Sequence, residues 1–164
     1  MSLTQLEAWI YLPFVLPICL YVAFTDLREM RITNQAVLVL GGLFFGLGLL
    51  ALPVDEYVWR VAQLGIVLVV GFILAALGAV GAGDAKFAAA AAPYIALGDT
   101  RLLVVIFTAN LLAGVATHRI AKHTPLRQIA PHWESWDKEW DFPMGLSLGG
   151  TLAIYLGLAA IFGS

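Results

Sequence analysis

Apolar residues fall along this chain in long blocks, not in the alternation of a half-buried strand or the one-sided stripe of a soluble helix. The blocks lie near residues 8–25, 35–52, 59–80, 85–98, 101–117 and 142–162. A helix needs about 20 apolar residues to cross the hydrocarbon of a bilayer, with a range of about 17–25, and every block except the fourth meets that length. The fourth, with "KFAAAAAPYIALG" at 86–98, is short, alanine-rich and broken by Pro93. It is expected to form a short or re-entrant helix, a form tolerated only when other protein encloses it. The pattern predicts an all-α fold, a polytopic membrane helical bundle of about six transmembrane helices, and a single membrane-embedded domain over residues 1–164.

Composition agrees with this reading. The chain is 61% hydrophobic and 12% charged, whereas a soluble domain is about a quarter charged. The opening "MSLTQLEAWI" has no positive charge and carries Glu7, so the first block reads as a permanent span and not as a cleaved signal sequence. The net charge of -2 and the lack of a basic run give no sign of a nucleic-acid partner; the lipid bilayer is the expected surrounding. Cys19 is the only cysteine, which excludes an internal disulfide or a cysteine-rich zinc site.

Six crossings place Arg28, Arg31, Lys86, Arg119, Lys122, Arg127 and Lys138 on one side of the membrane and leave Arg60 and Arg101 on the other. Positive charge accumulates on the cytoplasmic side, so the larger group is expected there. Asp26 ends the first span and Asp84 begins the fourth, and the intervening chain crosses twice. Parity then puts both carboxylates at the cytoplasmic face. Carboxylates near a bilayer are costly unless paired, hydrated or used, and each is a functional-site candidate for that reason. The structural alternatives are a solvated loop residue for Asp26 and a helix N-cap for Asp84. In "GAGDAK", Gly81 and Gly83 permit a tight turn and the close approach of another backbone.

"TDLREMRITN" at 25–34, "GAGDAK" at 81–86 and "FPMGLSLGG" at 142–150 together resemble the prepilin peptidase family, membrane aspartic proteases with a Gly-x-Gly-Asp motif. The resemblance implies that Asp26 and Asp84 are the catalytic pair, that Gly81, Gly83 and Lys86 belong to the motif that positions them, and that no metal or other cofactor takes part. It further implies a prepilin or pseudopilin substrate in the bacterial inner membrane, whose short basic leader is removed at the cytoplasmic face. Thr33 stands where the family usually has proline. Larger members add a methyltransferase segment with paired cysteines; this chain resembles the short, peptidase-only form associated with Flp-type pili.

Other constellations compete with this one. "GLSLG" at 145–149 fits the Gly-x-Ser-x-Gly expression of a nucleophilic serine, but that motif needs a strand-to-helix elbow and here it lies within an apolar span. His118, His123 and His132 lack the spacing of a zinc protease and are expected on the surface of the 118–141 loop. A small proton-coupled transporter or channel is the rival from another class, although a proton relay would place a carboxylate nearer the midplane. Asn110 in the fifth span is expected to hydrogen-bond another helix. In the loop, Trp133, Trp136 and Trp140 recur at helical spacing, which predicts a helix along the interface. Glu134, Asp137 and Asp141 follow one residue behind, either as a solvated face or as a row receiving the basic leader.

Overall fold

The computed structural model describes residues 1–138 and 141–164. Its helices are α1 (Gln5–Glu29), α2 (Asn34–Ala51), α3 (Val54–Ala76), α4 (Ala82–Ala91), α5 (Thr100–Lys122) and α6 (Met144–Phe162). Among the described residues, five segments are long and apolar enough to cross a membrane: α1, α2, α3, α6 and Leu97–Lys122, which contains α5. Large apolar side chains such as Leu6, Leu38, Phe72 and Val105 point outward from these helices, as lipid-facing side chains must.

The fourth segment is short but crosses the bundle. Ten residues of α4 rise only about 15 Å, and 3-10 turns at Ala92–Tyr94 and Leu97–Asp99 continue the path. The far end is fixed at the start of the chain, where the Asp99 carboxylate accepts the Ser2 N–H at 2.7 Å and the Leu3 N–H at 3.0 Å. Phe87, Ala89, Ala90, Ala91 and Tyr94 are all buried, so the alanine run is enclosed by protein. Lipid supplies no hydrophobic force between helices, and close packing of small residues takes its place. A Cβ on Gly71 would meet that of Ala85 at 3.0 Å, and one on Gly149 of α6 would lie 2.8 Å from the Cys19 carbonyl of α1.

Several expectations are corrected. The third helix stops at Ala76, short of residue 80, and Gly78 turns the chain with a φ of 71°. Arg60, expected among the charges flanking the spans, is buried; it pairs with Glu56 at 2.8 Å and Glu7 at 3.9 Å and donates to the Pro93 carbonyl at 3.4 Å. α5 runs on to Lys122 and takes His118 out of the loop. That ring is buried, stacked on Trp136 with centroids 4.9 Å apart. The expected interface helix is a single 3-10 turn, Glu134–Trp136, with Trp133 stacked on Trp136; Trp140 lies outside the described residues. Asn110 does bridge two helices, donating to the Ser147 carbonyl of α6 at 2.8 Å.

Candidate active site

α1 closes one turn after Asp26. Met30 adopts the left-handed conformation with φ 49° and ψ 40°, and its N–H bonds the Asp26 carbonyl, the usual geometry of a helix C-terminus. Three residues later Thr33 opens α2, its hydroxyl accepting the Ala36 N–H at 3.3 Å. Threonine therefore caps α2 through a side-chain oxygen that proline lacks. The resulting short turn leaves Asp26 facing the interior, with 5% of its surface exposed.

The carboxylate of Asp26 meets the start of α6. Its Oδ2 accepts the Gly145 N–H at 2.6 Å. Gly145 lies in the first turn of α6, after the N-cap Pro143, where backbone N–H groups have no partner within the helix and the helix dipole favours an anion. A Cβ at residue 145 would lie 2.9 Å from the Asp26 Cβ and 3.0 Å from Oδ2. Glycine is required there so that α6 can deliver its N–H.

Asp84 occupies the first turn of α4, with Gly81 as the N-cap. Its carboxylate folds back over the Gly81 backbone, and a Cβ on Gly81 would lie 2.5 Å from Asp84 Oδ2. Gly81 therefore makes room for the aspartate's own carboxylate, whereas Gly83 faces Ile32 of the α1–α2 turn, its Cβ position 3.4 Å from that of Ile32. Only the second glycine serves the approach of another segment. Asp84 is not the N-cap of its helix.

Asp26 and Asp84 line the same pocket, of about 680 Å³, together with Met30, Arg31, Ile32, Lys138, Asp141 and Phe142. Asp84 is close enough to Asp26 to feel its charge. Among the described residues neither is in an ion pair, and no three His, Cys, Asp or Glu side chains converge as a metal site would require. Two adjacent carboxylates cannot both ionise cheaply and instead share a proton. Such a pair can take a proton from water and give one to a leaving group.

The other sequence candidates separate. Lys86 turns away from the pocket and donates to Asn34 Oδ1 at 3.1 Å. Of the acidic row, Asp141 borders the pocket, Asp137 pairs with Arg127 at 2.9 Å, and Glu134 shares a separate hollow with Arg28, Arg31 and His132. Ser147 lies inside α6 and is fully buried, with none of the exposure of a nucleophile elbow. Gly145 has no role of its own in the sequence reading; its signal there is its place in "FPMGLSLGG", two residues after Pro143.

The chain is a multi-pass helical bundle in which Asp26 and Asp84 border one pocket. Residues 13–118 match the type IV leader peptidase family, and the chain belongs to that family. It is thus a peptidase of the leader-peptidase type, acting on a protein substrate. The matched stretch holds Asp26 and Asp84, while Asp141 and Gly145 lie beyond it. No curated protein and no solved structure matches the chain.

Proposed function

We propose that this protein is an aspartic endopeptidase that removes the short basic leader of prepilins or pseudopilins, of the kind associated with Flp-type pili, at the cytoplasmic face of the bacterial inner membrane. The observation that carries the reading is the shared pocket of Asp26 and Asp84 within a leader peptidase family member. In this mechanism the ionised member of the pair takes a proton from water, the hydroxide attacks the scissile carbonyl, and the protonated member gives its proton to the departing amine. The protein itself forms no covalent intermediate and uses no cofactor.

The positive charges of the α1–α2 turn and of the α5–α6 loop support the cytoplasmic orientation. Gly81, Gly83 and Gly145 let the two carboxylates and their backbone partners come together. Asp141, at the pocket rim, is the acidic residue best placed to meet a basic leader. Glu134 and Asp137, held beside arginines, add to the field around it, and Lys86 supports the turn through Asn34.

Co-expression with a type IV prepilin tests the proposal. The wild type is expected to convert the prepilin to its shorter form, and Asp84→Asn, inserted to the same level, is expected to leave it full length. Complete processing by the inserted variant overturns the mechanism, as does inhibition by EDTA that zinc reverses.

A further inference from the structure

A second hollow adjoins the pocket along α4. α2 and α3 pack together around Tyr57, whose hydroxyl donates to the Phe45 carbonyl at 3.2 Å and whose ring stacks on Phe44. Towards the aspartate end they separate, leaving a groove of about 630 Å³ floored by Ala89 and Ala90 of α4. Its walls are apolar, with Leu38 on α2 and Leu68 on α3, and both side chains are exposed on the bundle's outer surface. Asn34 and Lys86 form the mouth. Each is two residues from a lining residue of the aspartate pocket, Ile32 and Asp84 respectively. The mouth of the groove therefore lies on the same helix starts that border the pocket, and the groove changes from polar to apolar with distance from them. A hollow on the other face of α4, bordered by Val104 and Phe107, holds only about 300 Å³, and neither Asn34 nor Lys86 borders it.

We propose that this groove seats the apolar helix of the substrate, reached sideways from the lipid, and so sets which peptide bond lies over Asp26 and Asp84. The inference rests on the leader-peptidase reading above. A segment cleaved at the pocket must continue into the membrane on one side of α4, and this side has the larger volume, the polar mouth and the helix starts that also border the pocket. The floor is made of alanine and glycine, so a helix about 10 Å across approaches α4 closely. Gly42 also lines the groove, and a Cβ there meets nothing within 4 Å. That residue leaves the groove open on its α2 side.

Gly42→Leu fills the groove without touching the pocket, and leucine is the better helix former. Gly65 of α3, equally open but outside the groove lining, provides the control Gly65→Leu. The purified variants are compared on a full-length prepilin and on a short soluble peptide that spans only the cleavage junction. Gly42→Leu is expected to lower kcat/KM for the prepilin by about tenfold or more while leaving cleavage of the short peptide unchanged; Gly65→Leu is expected to alter neither. In parallel, a photoreactive residue at Leu38 or Leu68 of the Asp84→Asn enzyme is expected to cross-link the prepilin's apolar segment, and one at Val104 or Phe107 is not. Equal cleavage of the prepilin by Gly42→Leu and wild type overturns the inference, as do adducts with lipid alone or adducts from the Val104 side. Failure of the wild type to cleave either substrate counts instead against the leader-peptidase reading, and the cross-links then decide the groove by themselves.

Discussion

The two ends of the bundle both bury acidic side chains but treat them differently. At the end where the chain begins, the carboxylates have partners: Glu7 and Glu56 face Arg60, and Asp99 accepts two backbone N–H groups and the Tyr155 hydroxyl at 2.9 Å. At the other end, Asp26 accepts a single N–H, from Gly145, and borders an open pocket together with Asp84; among the described residues neither is in an ion pair. A buried acid surrounded by donors holds helices in place, and breaking such a pair is costly because it strands a charge. A buried acid beside another acid and a cavity is poised to exchange a proton. The difference separates structure from chemistry in a molecule where burial alone separates nothing.

The sharpest way to break the contrast is at the aspartate end. Asp26→Asn and Asp84→Asn are each expected to lower processing by about 10³-fold or more while leaving the thermal stability of the detergent-solubilised protein unchanged. The double variant is expected to be little worse than either single one, because the pair acts as a unit. The wild-type pH profile should be a bell: activity falls at low pH when both carboxylates carry protons and at high pH when neither does. Both limits belong to the pair and not to one residue. Single-turnover cleavage across pH, with insertion checked at each point, measures the activities, and thermal unfolding in detergent measures the stability.

At the other end the expected loss is of stability. Arg60→Met leaves Glu7 buried without its cation and should cost about 3–5 kcal/mol, with the activity of the remaining folded fraction close to normal. Glu7→Gln combined with Arg60→Met should recover part of the loss, as measured by unfolding in mixed micelles. A catalytic defect in the folded Arg60→Met protein as large as that of Asp84→Asn would erase the distinction between the two ends.

Two smaller effects sharpen the comparison. Gly145→Ala pushes a methyl group against Asp26 and should lower kcat by about 10²-fold, the scale of a displacement of about 1 Å at a catalytic group, with little change in unfolding. Asp141→Lys places a cation at the rim of the pocket. It should weaken processing of a basic leader a few-fold, more at low salt than high, since about 0.1 M salt screens exposed charges beyond about 10 Å. An effect of Asp141→Lys that does not vary with salt would remove the electrostatic role assigned to it.

The pattern of apolar blocks determined the helices, their approximate ends and the class of protein, because a membrane demands long apolar segments whatever they pack against. Parity of crossings put Asp26 and Asp84 at one end, and the structure brings them to one pocket. What the sequence did not disclose depends on pairing between distant segments. The single arginine at residue 60 reads as a flanking charge until Glu7, about fifty residues earlier, is found beside it. Only the tertiary structure decided that Gly145 delivers an N–H to Asp26 across 119 positions of sequence, that the short fourth segment crosses by two added turns, and that the acidic row divides among separate surroundings. Those outcomes follow from which helix faces meet, and a face in lipid is chosen by close packing and hydrogen bonding between helices, neither of which leaves a periodic mark along one chain.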